Sequence, residues 1–124
     1  MRVATKKYLQ NQFYSYIEGM TKEANIASCL AALGHEARLK VFRLLVKAGE
    51  EGLTVAQVIA HLDLAPSTLA HHLRALVGAG LVVQERQGRE VRNRVDFGRV
   101  RATVGFLTEE CCVGVELLVT ETAA

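Results

Sequence analysis

The chain has 124 residues, half of them hydrophobic, which fits one domain with a modest core and excludes a disordered or fibrous protein. No apolar run approaches the ~20 residues of a membrane span. The opening MRVATKKYLQNQF lacks the apolar core of a secretory leader, so a cytoplasmic location and no membrane partner are expected. The formal net charge is only +2, but it is unevenly spread. Arg86, Arg89, Arg92, Arg94, Arg99 and Arg101 crowd one stretch, whereas from Ala102 onward there are glutamates and no Lys or Arg. This pattern suits a phosphate-facing surface on one part of the chain, and the plain alternative is a solvated hairpin.

Residues 1–20 form an N-terminal extension in which Phe13, Tyr16, Ile17 and Met20 fall at helical spacing; an extra amphipathic helix is compatible with them. Residues 21–117 read as the main domain and 118–124 as a tail. Thr21 is placed to cap a first helix running to Leu33, with Ile26, Cys29, Leu30 and Leu33 on one face and Gly34 as its stop. His35 to Ala48 predicts a second helix, with His35 serving its start and Gly49 ending it. Thr54 and Gln57 have capping-box spacing before a short helix, Val55 to Leu62. A tight turn at Asp63-Leu64-Ala65 leads into a helix opened by Pro66. Leu69, Leu73, Leu76 and Val77 form its apolar stripe and Gly80 its stop. Two short helices joined this closely form a helix-turn-helix.

Val82, Val83, Val91 and Val95 flank a hairpin tip read at Gln87-Gly88. Asp96 can cap a last helix, where Phe97, Val100, Val104, Leu107 and Cys111 keep a three-four spacing, a seam suited to a partner helix. The fold class expected is mainly α with a small β-hairpin, a winged helix-turn-helix in the order ααααββα. Ser67, Thr68, His71, Arg74, Arg86, Arg89, Arg92 and Arg94 are left facing outward, and a polar-fronted helix beside an arginine ribbon suits a DNA duplex. For Ser67 and Thr68 the plain alternative is first-turn capping.

No paired acids, nucleophile with base or phosphate loop appears, so an enzyme is not expected; Gly78-Ala79-Gly80 is a helix stop rather than a GxGxxG. His71-His72 is a poor metal pair because adjacent helical side chains diverge by ~100°. His61 reads as a surface residue. The three cysteines imply no closed disulfide framework and are open to packing, metal-ligand or redox roles.

Taken together, ALGHEARLKVFRLL (32–45), STLAHHLRALVGAGLV (67–82), GREVRNRV (88–95) and FLTEECC (106–112) resemble the ArsR/SmtB winged-helix repressors, over about two-thirds of the chain. The resemblance implies a homodimer through the first and last helices that sets two recognition helices into successive major grooves of a palindromic operator. It assigns Ser67, Thr68 and His71 to bases and phosphates, and Arg74, Arg89, Arg92 and Arg94 to backbone clamps. Pro66 and Ala70 depart from the glutamine and serine many relatives carry, which thins base readout and leaves more to His71, Thr68 and DNA shape.

The Cys-x-Cys pair that many relatives carry before the recognition helix is missing from Val55–Leu62, and the last helix has no histidine. Cys111-Cys112 and Cys29 remain. Relatives with a vicinal pair in this FLTEECC context look like sensors of trivalent arsenicals, soft ions that favour thiolates. The resemblance therefore implies a repressor released by arsenite, which prefers three sulfurs, or by methylarsenite, which needs two, with no organic cofactor. A repressor of the same fold that reads oxidants or reactive sulfur through these thiols is the alternative, and a winged module without DNA binding is another.

Overall fold

The structure, a computed structural model, describes residues 21–117. The helix read near residues 1–20 and the tail at 118–124 lie outside the described residues. Helix α1 spans Lys22–Leu33 and α2 spans Glu36–Ala48; a 3-10 turn, Gly49–Glu51, leads to strand β1, Leu53–Thr54. Then come α3 (Val55–Leu62), α4 (Pro66–Gly78), β2 (Val82–Gln87), β3 (Glu90–Val95) and α5 (Phe97–Leu107).

The caps are the ones the residue types call for. Thr21 accepts from the Ala24 N–H at 3.1 Å, and Asp96 accepts from the Arg99 N–H at 3.1 Å. His35 caps α2 through Nδ1, which accepts from the Arg38 N–H at 3.5 Å. At α3 the full capping box forms: the Thr54 hydroxyl accepts from the Gln57 N–H at 3.2 Å, and the Gln57 side chain accepts from the Thr54 N–H at 2.9 Å. Each such cap satisfies an N–H that the helix itself leaves without a partner. Asp63, in the left-handed region at φ 51°, ends α3 and turns the chain into α4.

The sheet holds one strand more than the hairpin expected from the sequence. β1 pairs antiparallel with β3, giving the order β1-β3-β2. Two residues give no readable alternation, and Thr54 also caps α3, so β1 leaves no sequence signal of its own. The buried side chain of Asn93 ties it in place. Its Nδ2 donates to the Leu53 carbonyl at 3.2 Å, and its Oδ1 accepts from Gln84 Nε2 at 2.9 Å. Gly52, at φ 65°, lets the backbones meet, since a Cβ there would collide with the Asn93 carbonyl. Because Gln87 pairs with Glu90, the hairpin tip is Gly88-Arg89 rather than Gln87-Gly88, with Gly88 at φ 64° in the first turn position that a type II′ turn reserves for glycine. Similarly, α4 stops at Gly78, and Gly80 at φ 81° lies beyond its Ala79 cap.

One core joins these elements. Leu45 from α2, Val58 from α3, Leu69 and Leu76 from α4, and Leu81 are fully buried, with Val82 and Val95 of the wing closing the cluster. α2 packs on α4 and on β3, so the core fixes α4 and the β2–β3 hairpin to one frame. Truncating a side chain such as Leu76 to alanine is expected to cost about 2–5 kcal/mol.

The last helix departs from the expected seam. Phe97 and Val100 pack against the core, Thr103 is buried, and Val104 and Leu107 are exposed. The helix ends at Leu107, so Cys111 is not on it; Thr108–Cys112 form turns, with the Cys111 N–H donating to the Thr108 carbonyl at 3.0 Å. Physically, Gly105 weakens the last turn, and Glu109 and Glu110 set negative charge against the negative end of the helix dipole. Cys112 then takes φ 65° and Gly114 φ 99°, which ends helical continuation.

Candidate nucleic-acid interface and thiol pair

Helix α4 presents Ser67, Thr68, Ala70, His71 and Arg74 to solvent, while Leu69, His72, Leu73 and Leu76 face inward. The division follows from helical periodicity, with the buried set recurring at three and four. Its N-cap, Ala65, has no side chain able to close the first turn, and Pro66 supplies no N–H. The N-terminus of α4 therefore offers open backbone N–H groups beside two short hydroxyls, a surface suited to phosphate.

The wing arginines divide into two kinds. Arg86 and Arg89 stand exposed at and near the tip. Arg92 is half-buried and already engaged: its guanidinium donates to the carbonyls of Glu51 and Gly52 at 3.2 and 3.5 Å, and to Gln87 Oε1 at 3.2 Å. Arg94 is also half-buried, 3.9 Å from a Glu85 carboxylate oxygen. Arg92 thus staples the wing to the turn before β1, a role its sequence position does not announce. Beside Arg94, at the root of the wing, a shallow cleft of about 250 Å³ is lined by Glu50, Asp96, Phe97 and Arg101 among others; its charges are of both signs.

The thiols also separate. Cys29 is buried in the core, where its Sγ donates to the Ala79 carbonyl at 3.3 Å. Cys111 and Cys112 are exposed, with their sulfurs 3.0 Å apart. The hydrogen bond with Cys112, and secondarily a slight desolvation, push the Cys111 thiol above its ordinary range. Among the described residues no three His, Cys, Asp or Glu side chains gather into a metal cluster, so Cys29 does not join the pair within one subunit. His61 and His71 are exposed and His35 is spent on its cap.

A contact that sequence could not signal anchors the thiol segment. Lys22 at the start of α1 lies 3.2 Å from the Glu109 carboxylate and 5.2 Å from the centre of the Phe106 ring. α1 and α5 therefore pair within the subunit, with Leu30, Val104 and Leu107 left exposed on them. Among the described residues no helix is long and apolar enough to cross a membrane.

Residues 33–85 match the family model described as a helix-turn-helix domain. A putative arsenical resistance operon repressor of Halobacterium salinarum is 39% identical over 71 residues, covering 57% of this chain. The match spans 54% of that relative, so only about half its length is shared. An ArsR-like transcriptional regulator from Rhodococcus sp. RHA1 superposes with a TM-score of 0.63 at 30% identity, over 70% of this chain and 79% of that one. The homodimeric winged helix-turn-helix DNA-binding domain of a possible ArsR-family regulator from Mycobacterium bovis superposes at 0.55 and 23% identity, over 76% of this chain and 88% of that one, a likeness of fold. With its helix-turn-helix, its arginine-bearing wing and these likenesses, the chain belongs to the ArsR family of winged helix-turn-helix transcriptional regulators.

Proposed function

We propose that this protein is a dimeric, DNA-binding repressor that leaves its operator when a trivalent arsenical is taken by Cys111 and Cys112. The observation that carries the inducer is the exposed sulfur pair, 3.0 Å apart. A soft As(III) centre favours such a donor set. With Cys29 buried and hydrogen-bonded in the core, two thiols are at hand rather than three, which favours methylarsenite over arsenite. The two thiols replace two hydroxyls on the arsenical, and their protons leave in two waters.

Ser67, Thr68, His71 and Arg74 face bases and phosphates, and Arg86 and Arg89 grip the backbone; Arg92 and Arg94 contribute through the charge of the wing. A second copy covers the apolar face of Leu30, Val104 and Leu107. In support, the Mycobacterium bovis neighbour is homodimeric and the Halobacterium relative is named for an arsenical resistance operon. The thiol turn follows directly on α5, so a ligand that stiffens it acts on the spacing of the two recognition helices. About 3 kcal/mol of coupling suffices to shift operator occupancy about 100-fold.

Redox sensing by the same pair is the weaker reading. A thiol poised for oxidation has a depressed pKa, whereas the Cys111 thiol is pushed up by its bond with Cys112.

The test is a titration of arsenite, methylarsenite, zinc and cadmium against protein bound to a duplex that it has selected from a random pool. Release by methylarsenite at the lowest concentration is expected, and its loss in the double variant Cys111→Ser/Cys112→Ser. Release by none of the four, or undiminished release in that variant, overturns the reading.

A further inference from the structure

Helix α4 carries a buried histidine that neither the DNA-facing surface nor the thiol pair uses. His72 is only 5% exposed, and its Nδ1 is buried without a hydrogen-bond partner among the described residues. Its ring centre is 5.2 Å from that of His35, at the start of α2, and 5.8 Å from that of His71. Arg38, in the first turn of α2, spends one guanidinium nitrogen on the Ala32 carbonyl of α1 at 3.3 Å and leaves its buried Nε without a partner among the described residues.

The groups whose charge reaches His72 are therefore His35 and Arg38 from α2 and His71 from its own helix, all cationic or able to become so. No carboxylate among the described residues balances them. Glu36 lies at the start of α2 but pairs with Lys40 at 3.8 Å. On α1, Lys22 and Glu23 sit at the end of the helix remote from Ala32. His61 and Asp63 of the helix-turn are exposed, and on β2 Glu85 and Arg86 lie out along the wing.

We propose that His72 is an acid-operated pin beneath the recognition helix: protonation places a charge where α2 and α4 pack, the contact loosens, and DNA affinity falls. Neutral imidazole packs in that place as a half-apolar ring; imidazolium brings a charge whose Nδ1–H has no partner and that no carboxylate among the described residues offsets. Burial, and then His35, Arg38 and His71, all disfavour the charged form. What the fold withholds from the proton in the packed state becomes a driving force for opening in acid. Acting on α4, this driving force reaches the DNA-facing residues without touching them.

The sign separates this device from ordinary phosphate electrostatics: a cation gained in acid near phosphate strengthens binding, so a fall in affinity must come from elsewhere.

The proposal takes only its DNA readout from the preceding section, and the test has an arm that does without DNA. Affinity of the full chain for a duplex it has selected is measured by fluorescence anisotropy between pH 7.5 and 5.5 at constant ionic strength. A loss of about tenfold is expected, abolished or reversed in His72→Gln. Should that variant fail to fold, His35→Gln removes the nearest ring and is expected to shrink the loss. A wild type whose affinity holds or rises in acid, or a loss of equal size in the folded variant, overturns the proposal.

In parallel, imidazole resonances and α4 amide exchange are followed by NMR on free protein. His72 protonation accompanied by loss of α4 protection supports the pin; unchanged protection at pH 5.5 overturns it. If the protein selects no duplex, the DNA reading fails and the NMR arm alone decides the pin.

Discussion

Lys22 and Glu109, 87 residues apart in the sequence, meet at 3.2 and 3.3 Å, and the same ammonium lies over the Phe106 ring. This joins the start of α1 to the turn that carries Cys111 and Cys112. Both partners are more than half exposed, so the pair adds little to global stability. Lys22→Met is expected to lower stability by less than about 1 kcal/mol, while amide exchange across 108–112 quickens. Denaturant unfolding and hydrogen exchange read the two effects separately.

Asn93 is the opposite case. It is fully buried and bonds Leu53, Val91 and Gln84 at once. Asn93→Ala leaves those partners unsatisfied and is expected to cost about 2–3 kcal/mol. Gly52→Ala is expected to be at least as damaging, since it strains a positive φ and drives a Cβ into the Asn93 carbonyl. Thermal melts check both, and β1 amide protection should vanish first.

Thiol reactivity should separate the three cysteines. In native protein, a disulfide reagent is expected to modify two thiols rapidly and the third, Cys29, only on unfolding, because Cys29 is 1% exposed. With its pKa raised by the bond with Cys112, Cys111 should gain reactivity at higher pH than a free thiol does. Counting modified thiols by mass against time and pH measures this; rapid labelling of Cys29 in folded protein contradicts the assignment.

The wing arginines should differ in kind. Arg86→Ala and Arg89→Ala are expected each to reduce the salt slope of DNA binding by about 1 with the melting temperature unchanged. Arg92→Ala should also lower stability, since it cuts the bonds to the Glu51 and Gly52 carbonyls. Salt titrations paired with melts discriminate them.

Stability itself should depend on pH through His72. Its native pKa is lowered by burial and by neighbouring cations, so the unfolded chain, titrating at about 6.5, takes up the proton first. Stability should be level above that pH and decline below it until the native pKa is passed. Urea unfolding across pH 7.5 to 5.0 reads this directly, and His72→Gln should flatten the curve.

Much of the architecture was legible because local chemistry and burial point the same way. Thr21, His35, Thr54 with Gln57, and Asp96 each cap the helix read after them, and the stripe of Leu69, Leu73 and Leu76 is the buried face of α4. The boundaries that shifted lie where glycines follow one another or helix signals weaken, at Gly78–Gly80, at the hairpin tip and after Leu107. Of the residues read as DNA-facing, the exposed ones on α4 follow from periodicity. The engagement of Arg92 with Glu51 and Gly52 does not, since it spans 40 and 41 residues.

The sequence by itself determined the order of elements, the helix-turn-helix, the arginine wing and the adjacency of Cys111 and Cys112, because periodicity, capping and covalent neighbourhood are local. The tertiary structure alone decided which thiols can meet, that β1 completes the sheet through Asn93, and that His72 lies beside His35, Arg38 and His71 with no acid among the described residues to balance it. Those outcomes depend on packing between segments distant in the chain, where burial and the partners at hand, rather than residue type, set what a side chain can do.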